Sequence, residues 1–437
     1  MAREIAATLE KLNGIEWVSR EKLEGDLQTK LHDLNLSSID AVFPKSSEQL
    51  AEVIALAAEK QWTIIPFGNG SKLAWGGLAR DARLLISTRK LDRILDHAVG
   101  DLTVTVEAGV KLTDLQAALQ PTGQFLPLDP AYPENATLGG IVATADSGSW
   151  RHRYGGVRDL LLGLSFVRGD GKIAKAGGRV VKNVAGYDLM KLFSGSYGSL
   201  SMISQLTFRT YPLPETSGTI LLTGEAANIA SVSLIILNSA LAPVRIDLLS
   251  GSLLQALDTE GEIGLVVQFA SIPESVTEQR EQIANWGRQA GLTIADNTTN
   301  AALGDREIWP RVRDLTRIRT NSEEIVAKVG ILPARAVALL QELDRIAPGE
   351  SWGFIHGGSG LGYLRLQGDR QLEAIEKLRR ICQQGKGFLT LLEAPIAIKK
   401  AIDPWGYPGN ALTLMRQIQQ KFDPEGVFSS GRFVGGI

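Results

Sequence analysis

The stretch PFGNGSKLAW, residues 66–75, begins at the end of the apolar segment WTIIP and contains two glycines separated by one residue. Gly68 and Gly70 tolerate positive φ, so the peptide N–H groups of such a loop can turn into one concavity that binds pyrophosphate. Ser71 adds a hydroxyl donor. On its own the stretch predicts either a phosphate-binding loop or a plain glycine turn between strands, and both alternatives stay open at this point.

Two better-known phosphate-binding motifs do not fit the sequence. A dinucleotide fingerprint requires glycine at its sixth position and a helix directly afterwards. Leu73 occupies that position, and AWGGLARDAR follows it. A P-loop requires serine or threonine after its lysine, whereas GDGKIA at residues 169–174 supplies Ile173. Any phosphate site at the loop is therefore of another type.

The composition is that of an ordinary globular protein. The 437 residues exceed one ordinary core and predict two domains. A net charge of -2 gives no whole-chain attraction to nucleic acid. No apolar run reaches the roughly 20 residues of a spanning helix, and because the first residues include acidic ones and no apolar h-region, we expect that they are not a secretory signal. The single cysteine, Cys382, excludes an internal disulfide and a cysteine-rich metal or iron–sulfur site. We expect a cytoplasmic protein, and peripheral association with the inner face of the membrane through a complex stays open.

The first half of the chain mixes helices and strands. PKSSEQLAEVIALAAEKQ has helical periodicity, and Ser46 and Gln49 have capping-box spacing. WTIIP, RLLIS and LTVTVEAG are rich in β-branched and aliphatic residues and predict strands. Between residues 127 and 200 glycine recurs every few positions. Because so much glycine costs backbone entropy on folding, we expect the backbone there to approach another group closely.

After TYPLPE, glycine becomes rarer and a second pattern begins. Strand-like segments such as GTILLTG and VRIDLLS alternate with amphipathic helices, one of them from about Glu274 to Ala290. This alternation favours an α+β domain with an antiparallel sheet covered by helices. We expect an N-terminal helical segment at 1–43, two domains at 44–215 and 216–400, and a C-terminal segment at 401–437 that returns to the first domain.

Several ordered motifs carry a family resemblance. The opening loop is followed by PLDPAYPENATLGGIVATADSGS, GGVRDLLLGLSFVRGDGK, GGRVVKNVAGYDLMKLFSGSYGSL and FDPEGVFSSGRF. Over about residues 44–215 and the tail, the chain resembles the vanillyl-alcohol-oxidase-type (PCMH-type) FAD flavoproteins, and within them most closely the E-type FAD-binding subunits of glycolate oxidase. The resemblance implies a PCMH-type two-part FAD-binding domain at 44–215 and an α+β, ferredoxin-like cap domain with an antiparallel sheet.

The resemblance also implies a set of cofactor-binding residues. The opening loop would wrap the FAD pyrophosphate with Pro66, Phe67, Gly68, Asn69, Gly70, Ser71 and Lys72. The rest of the cofactor would be lined by Pro127, Leu128, Asp129, Thr137, Leu138, Gly139, Gly140, Ala143, Ser147, Gly148, Tyr154, Gly155, Ile203 and Arg432. Each glycine has the alternative of a turn, Ile203 that of a core strand residue, and Lys72 that of a solvated surface lysine.

The sequence leaves the catalytic residues unknown. Many relatives attach the flavin through histidine or cysteine, and the opening loop has neither, so we expect non-covalent FAD. Catalytic relatives bind a divalent metal with a stretch similar to HGDGNLH, and the similar place here is HGGSGLGY. His356 is retained, but Ser359 and Tyr363 replace the acidic and second histidine positions. We therefore expect no metal and a structural role for His356.

These expectations lead to three functional hypotheses. The first is an FAD-binding subunit of a glycolate or 2-hydroxyacid oxidase complex, with a second flavin subunit and an iron–sulfur subunit as partners and glycolate or D-lactate as substrate. The second is a self-sufficient FAD-dependent 2-hydroxyacid dehydrogenase. The third is a non-catalytic scaffold with a flavin fold. The intact glycine motifs argue against the scaffold.

Overall fold

The computed structural model describes residues 39–179, 187–296 and 307–437, and before them residues 5, 8–10, 12, 14–23, 25–34 and 36. The chain divides into two compact units. Unit 1 comprises Met1–Gly148, Gly155–Leu213 and Gly409–Ile437, and unit 2 comprises Ser149–Tyr154 and Pro214–Pro408. The segment VVKNVAG, residues 180–186, on which part of the resemblance rests, lies outside the described residues.

Unit 1 contains a four-stranded sheet of order β1-β2-β4-β3, in which β2 and β3 both pair in parallel with β4. Its strands are β1 Glu16–Val18, β2 Asp40–Phe43, β3 Thr63–Phe67 and β4 Ala82–Ser87. The opening loop leaves this sheet directly after β3. The sheet therefore positions the loop at the carboxyl end of a buried parallel strand.

A second, antiparallel sheet of unit 1 has the order β5-β6-β10-β8-β9, and a two-stranded ribbon joins β7 to β11. The strands are β5 Ile94–Ala98, β6 Thr103–Glu107, β7 Gln124–Phe125, β8 Leu161–Val167, β9 Ile173–Gly177, β10 Met202–Arg209 and β11 Tyr211–Pro212. The strands predicted at RLLIS and LTVTVEAG are confirmed as β4 and β6.

The helix predicted after residue 44 is confirmed. It spans Ser47–Glu59, and the Ser46 hydroxyl accepts a hydrogen bond from the Gln49 N–H at 3.2 Å. Such a cap contributes about 1 kcal/mol. The other helices whose bounds lie within the described residues of unit 1 are Gly25–Asp33, Leu112–Leu119, Leu138–Thr144, Val157–Leu160, Leu189–Phe193 and Leu412–Phe422, with short 3₁₀ turns at Arg20–Lys22, Val99–Asp101, Gln120–Thr122 and Val434–Gly436.

The C-terminal segment extends the first sheet of unit 1. Phe428 forms a parallel bridge with Ile64, whose N–H donates to the Val427 carbonyl at 2.7 Å. The buried Asp423 carboxylate accepts from the N–H groups of Val427 and Phe428 at 2.9 and 2.8 Å. Burial raises the pKa of Asp423, and these hydrogen bonds oppose that rise. The segment is thus fixed beside the strand that carries the opening loop.

Unit 2 is built on one eight-stranded antiparallel sheet of order β15-β12-β14-β13-β17-β18-β16-β19. The first four strands along the chain are β12 Thr216–Gly224, β13 Arg245–Ser250, β14 Ile263–Ser271 and β15 Thr293–Asp296. The last four are β16 Ile325–Gly330, β17 Ser351–His356, β18 Leu361–Leu366 and β19 Phe388–Glu393. Each half has the β-α-β-β-α-β order of a ferredoxin-like unit, and the halves meet where β13 pairs with β17.

The longer helices of unit 2 pack their apolar faces onto the buried side chains of this sheet; these helices are Ala226–Leu237, Pro273–Gln289, Ala336–Ile346 and Gln371–Gln384. The described helices of unit 2 are Arg151–Tyr154, Ala226–Leu237, Gly251–Ala256, Pro273–Gln289, Ile308–Arg317, Ala336–Ile346, Gln371–Gln384 and Ile396–Ala401, with a 3₁₀ turn at Pro333–Arg335. The α+β fold with an antiparallel sheet is confirmed. Within the described ranges, no helix has both the length and the apolar character needed to cross a bilayer.

Candidate functional site

An open cleft of unit 1 collects most of the residues expected from the sequence. Its empty volume is about 740 Å³, including space continuous with solvent. The expected residues that line it are Pro66, Phe67, Gly68, Asn69, Gly70, Ser71, Lys72, Thr137, Gly139, Gly140, Ala143, Ile203 and Arg432. The residues not expected are Leu73, Thr88, Thr144, Ser196, Tyr197, Gly198, Ser201 and Met202. We call this cleft the glycine-loop cleft.

The opening loop presents peptide N–H groups that have no partner. Within the part of the chain that the structure describes, the N–H groups of Gly68, Asn69, Gly70 and Ser71 donate no hydrogen bond. Gly70 has a φ of +79°, which a residue with a side chain adopts only under strain. Four consecutive unpaired donors in one loop are suited to the oxygens of an anion. A plain glycine turn would not require them.

Side chains from other segments hold the loop in place. The Ser87 hydroxyl donates to the Gly68 carbonyl at 2.7 Å, and the Asn69 amide donates to the Asn135 carbonyl at 3.2 Å. The first contact uses a carbonyl of the loop and the second uses a side chain of the loop, so both leave the loop N–H groups available to a ligand. The loop is therefore preorganised for a ligand.

The loop lies directly against the segment that begins the helix Leu138–Thr144. A Cβ atom on Gly68 would lie 2.1 Å from the Thr137 hydroxyl. That hydroxyl caps the helix by accepting from the Gly140 N–H at 3.3 Å. Glycine is therefore required at position 68 by a close approach, and the two expected motifs form one wall of the cleft.

Lys72 is buried and paired, which the sequence did not indicate. Its Nζ lies 3.1 Å from Asp146 Oδ2, and the two side chains are 5% and 0% exposed. Asp146 Oδ2 also accepts from the Ala131 N–H at 3.0 Å. Lys72 is thus not a solvated surface lysine, and Asp146 balances its charge within the protein.

Arg432 brings the C-terminal tail into the cleft. Its guanidinium donates to the carbonyls of Leu73 and Trp75 at 2.8 and 2.7 Å. Burial lowers the pKa of Arg432 to about 10, so the group remains charged at neutral pH. A buried cation hydrogen-bonded to neutral carbonyls raises the electrostatic potential of the cleft and favours an anionic ligand.

A strained turn forms a further part of the cleft. Tyr197 has a φ of 55°, and its N–H donates to the Ala143 carbonyl at 2.8 Å. The ring of Tyr197 lies 6.2 Å from that of Phe433 in the tail. Gly198 follows with a φ of +70° and packs near Pro66. The turn, the tail and the opening loop therefore contact one another around the cleft.

The remaining expected cofactor residues do not line the glycine-loop cleft. They are Pro127, Leu128, Asp129, Leu138, Ser147, Gly148 and Gly155 in unit 1, and Tyr154 in unit 2. Gly148 is in close contact with Asp129, since a Cβ atom would lie 2.2 Å from Asp129 Oδ1. The Ser147 hydroxyl accepts from the Val157 N–H at 3.0 Å. Their roles in cofactor binding stay predictions.

Unit 2 contains a buried polar group that we call the Asp247 cluster: Ser149, His152, Asp247 and His356. Asp247 on β13 and His356 on β17 lie directly opposite each other, with Nδ1 to Oδ1 at 2.6 Å. Ser149 hydrogen-bonds to the other oxygen of Asp247. His356 Nε2 is buried and has no hydrogen-bond partner within the described chain. Because Asp247 fixes Nδ1, Nε2 is available as a proton acceptor.

His152 lies beside this pair. Burial lowers the pKa of His152; the charge of Asp247 opposes that shift, and His356 and Arg153 add to it. A Cβ atom on Gly358 would lie 2.8 Å from His152 Nδ1, so glycine leaves room for the imidazole. The cluster thus contains a second imidazole, that of His152, and burial favours its neutral form.

The altered metal motif has a structural explanation. Tyr363, at the second histidine position, is buried and lies over the Arg317 guanidinium at 4.4 Å from the ring centroid. Its ring also stacks on Phe354 at 5.7 Å. Among the residues that the structure describes, no group of three or more histidine, cysteine, aspartate or glutamate side chains is arranged to hold a metal ion.

Comparisons with known proteins identify the domain that carries the cleft. Residues 40–177 match the family FAD_binding_4, described as an FAD binding domain. A p-cresol methylhydroxylase structure matches 90% of this chain and 88% of its own with a TM-score of 0.70 and 15% identity. An alkyldihydroxyacetonephosphate synthase matches 89% and 76% with a TM-score of 0.67 and 18% identity. Residues 40–177 therefore form an FAD-binding domain, and the chain shares its fold with these two solved structures.

Curated relatives of this flavoprotein match over part of their length. The glycolate oxidase subunit GlcD of Bacillus subtilis is 31% identical over 228 residues, which are 52% of this chain and 48% of that protein. The glycolate oxidase subunit GlcE of Escherichia coli is 36% identical over 172 residues, 39% of this chain and 49% of that protein. A probable mitochondrial D-lactate dehydrogenase of Danio rerio is 39% identical over 177 residues, 40% of this chain and 35% of that protein. The chain spans about half or less of the length of these relatives.

The glycine-loop cleft fits FAD. Its unpaired N–H groups complement the oxygens of a diphosphate. Gly68 has no side chain and so allows the loop to lie directly against Thr137. The buried Ser201 hydroxyl lines the cleft without a hydrogen-bond partner. The expected cofactor, FAD, and the family resemblance are confirmed.

Proposed function

We propose that the chain is the FAD-binding subunit of a glycolate or 2-hydroxyacid oxidase complex. The observation that carries this proposal is the row of unpaired N–H groups from Gly68 to Ser71 in a cleft of the FAD-binding domain. The names of the relatives support the substrate class, since they include two glycolate oxidase subunits and D-lactate dehydrogenases. Bound FAD supplies the acceptor for the two electrons released by oxidation of the hydroxyacid.

The chain's own residues bind and orient this cofactor. The N–H groups of Gly68 to Ser71 would hold the diphosphate, and Arg432 would add positive potential while fixing the loop carbonyls. Lys72 is a positioning residue, because its ammonium group already pairs with Asp146. Asp146 follows the helix Leu138–Thr144, so the pair ties the loop to the end of that helix. The strained turn at Tyr197 closes the cleft from the side of the C-terminal tail.

We propose that FAD is bound without a covalent link. Among the described residues that line the glycine-loop cleft there is no histidine or cysteine, and these are the usual attachment points for the flavin ring in relatives. On a denaturing gel the protein band should therefore show no flavin fluorescence, and the released supernatant should contain all of the FAD. A fluorescent band would contradict non-covalent binding.

The electrons would leave through a partner. The single cysteine, Cys382, is buried, and burial raises the pKa of its thiol to about 12. Such a thiol is not a metal ligand at neutral pH. We therefore propose an iron–sulfur subunit as the electron acceptor and a second flavin subunit as the other partner. The relatives GlcD and GlcE are named as subunits of glycolate oxidase, which supports an assembly of this kind.

One observation favours a second candidate, a self-sufficient dehydrogenase. Oxidation of a 2-hydroxyacid requires a base that accepts the hydroxyl proton. The Asp247–His356 pair provides a buried imidazole whose Nε2 lone pair has no partner among the described residues. This pair has the chemistry of the general base that a self-sufficient dehydrogenase requires.

One anaerobic experiment separates the candidates. The purified chain is expected to show a flavin spectrum, and addition of glycolate or D-lactate is expected to leave that spectrum oxidised until the partner subunits are added. Bleaching by either acid in the isolated chain would instead support the self-sufficient enzyme. A colourless protein that cannot take up added FAD would leave only the scaffold.

A further inference from the structure

Ser201 stands out among the residues of the glycine-loop cleft that sequence analysis missed. It lies immediately before β10, is 3% exposed, and lines the cleft. Its Oγ is buried and makes no hydrogen bond within the described chain. A buried hydroxyl without a partner is unfavourable, so its retention in a cleft points to a ligand that supplies the partner.

Four other polar side chains of the cleft are already engaged. Thr144 donates its hydroxyl to the Gly140 carbonyl at 2.8 Å, and the Thr137 hydroxyl accepts from the Gly140 N–H. Lys72 pairs with Asp146, and Arg432 donates to loop carbonyls. Among buried side-chain nitrogen and oxygen atoms of the cleft, Ser201 Oγ alone makes neither a hydrogen bond nor an ion pair within the described residues.

A second unpaired serine provides a comparison within the same stretch. Ser204, on β10, is 0% exposed, and its Oγ also has no hydrogen-bond partner in the described residues. Ser204 does not line the cleft. The two serines therefore share burial and an unpaired hydroxyl, and only Ser201 is placed where a bound molecule can reach it.

We propose that Ser201 is a cofactor-contacting residue whose hydroxyl hydrogen-bonds to a polar group of bound FAD. The inference rests on the proposed function, because it takes FAD as the occupant of the cleft. A serine hydroxyl both donates and accepts, so it can pair with a ring nitrogen, a carbonyl or a sugar hydroxyl of the nucleotide. Ser201 thereby adds a side-chain contact to a site that otherwise relies on main-chain donors.

The test compares Ser201→Ala with Ser204→Ala in the full chain. Flavin is removed, and FAD affinity is measured by fluorescence titration. One lost hydrogen bond to a ligand corresponds to roughly 5- to 10-fold weaker binding, which is expected for Ser201→Ala and not for Ser204→Ala. Thermal unfolding of the apoproteins checks that both variants fold. Should Ser201→Ala fail to fold, Ser201→Cys keeps the volume and weakens the hydrogen bond.

Two fragments of the cofactor locate the contact. ADP carries the adenine and diphosphate, and FMN carries the flavin. If Ser201→Ala binds one of these fragments more weakly than the wild type does, Ser201 contacts that half of the cofactor. Weaker FAD binding supports the proposal whichever fragment shares the loss. FAD binding by Ser201→Ala at the wild-type affinity would overturn it. A wild-type chain that binds no FAD would instead overturn the proposed function, so the two failures are distinguishable.

Discussion

The glycine-loop cleft of unit 1 and the Asp247 cluster of unit 2 are both polar groupings in a largely apolar interior, but they are built differently. The cleft uses main-chain N–H groups from consecutive residues, Gly68 to Ser71, with small side chains around them. The Asp247 cluster uses side chains from three distant segments, which meet at β13 and β17. The donors of the cleft have no partner among the described residues. In the Asp247 cluster, by contrast, the polar side chains form hydrogen bonds mainly with one another.

This difference separates a binding site from a self-contained network. The loop donors have no protein partner among the described residues and are available to a ligand, whereas the carboxylate of Asp247 bonds to both Ser149 and His356. We therefore expect changes in the cleft to affect FAD affinity and changes in the cluster to affect unfolding. Substitutions in each region, with matched controls, test that division.

The largest effect is expected for Asp247→Ala. Asp247 is 0% exposed and is hydrogen-bonded to both His356 and Ser149. Removal of one member of a buried polar pair leaves the other members unpaired and costs about 3–5 kcal/mol. Chemical denaturation should show a correspondingly lower unfolding midpoint, while the folded fraction should keep its flavin spectrum.

Asp314→Ala is the matched control for this change. Asp314 belongs to the same unit and pairs with Arg313 at 2.7 Å, but its side chain is 51% exposed. Exposed pairs contribute about 0–1 kcal/mol, so this variant should unfold almost like the wild type. Loss of FAD from Asp247→Ala without a change in unfolding would contradict the division between the two regions.

Gly68→Ala should give the largest effect on the cofactor. The added methyl group would lie 2.1 Å from the Thr137 hydroxyl, so the loop or the helix cap must move. We expect FAD affinity to fall about 100-fold, which is roughly 2.7 kcal/mol. Gly100→Ala is the control, since a Cβ atom there meets nothing within 4 Å. Equal FAD affinity in Gly68→Ala and the wild type would mean that the cleft is not the cofactor site.

The same contrast explains what the sequence could predict. The opening loop and the motif that contains Thr137 and Gly140 are local patterns, and both line one cleft. The alternation of strands and helices after residue 215 likewise predicted the α+β domain. Such features depend on nearby residues and on periodicity, and both are visible in a single sequence.

Features that depend on distant pairing were not predictable. Lys72 meets Asp146 only after folding, and Asp247 and His356 are 109 positions apart in the chain. A structural role was expected for His356, but its partner is not visible in the sequence, because strand register across a sheet is set by the whole fold. Ser201 was missed because a serine in a glycine-rich stretch carries no sign of whether its hydroxyl is paired.

Arg432→Met tests whether the C-terminal tail belongs functionally to the cleft. The change removes two hydrogen bonds to the carbonyls of Leu73 and Trp75 and a buried positive charge. We expect about tenfold weaker FAD binding, or roughly 1.4 kcal/mol, and a weaker dependence of affinity on salt concentration. Fluorescence titration at low and high salt measures both.

Arg416→Met provides the control for the tail. Arg416 lies in the same C-terminal segment, is exposed, and donates to the Gly435 carbonyl at 3.3 Å. Its removal should leave FAD affinity and salt dependence unchanged. Equal effects of the two substitutions would show that Arg432 acts only through the general stability of the tail.

The smallest effect concerns the pH dependence of unfolding. Burial lowers the pKa of His152 below its ordinary value of 6.5, so between the two values the unfolded chain binds more protons than the folded one. Stability should therefore be full above about pH 6.5 and decrease as the pH falls towards the lowered pKa. Unfolding midpoints measured from pH 7.5 to 5 should decrease less steeply in His152→Gln than in the wild type. The difference should correspond to the contribution of about one titrating group. His32→Gln, at a ring 82% exposed, should leave the decrease intact, and an unaltered profile in His152→Gln would assign the pH dependence to other groups.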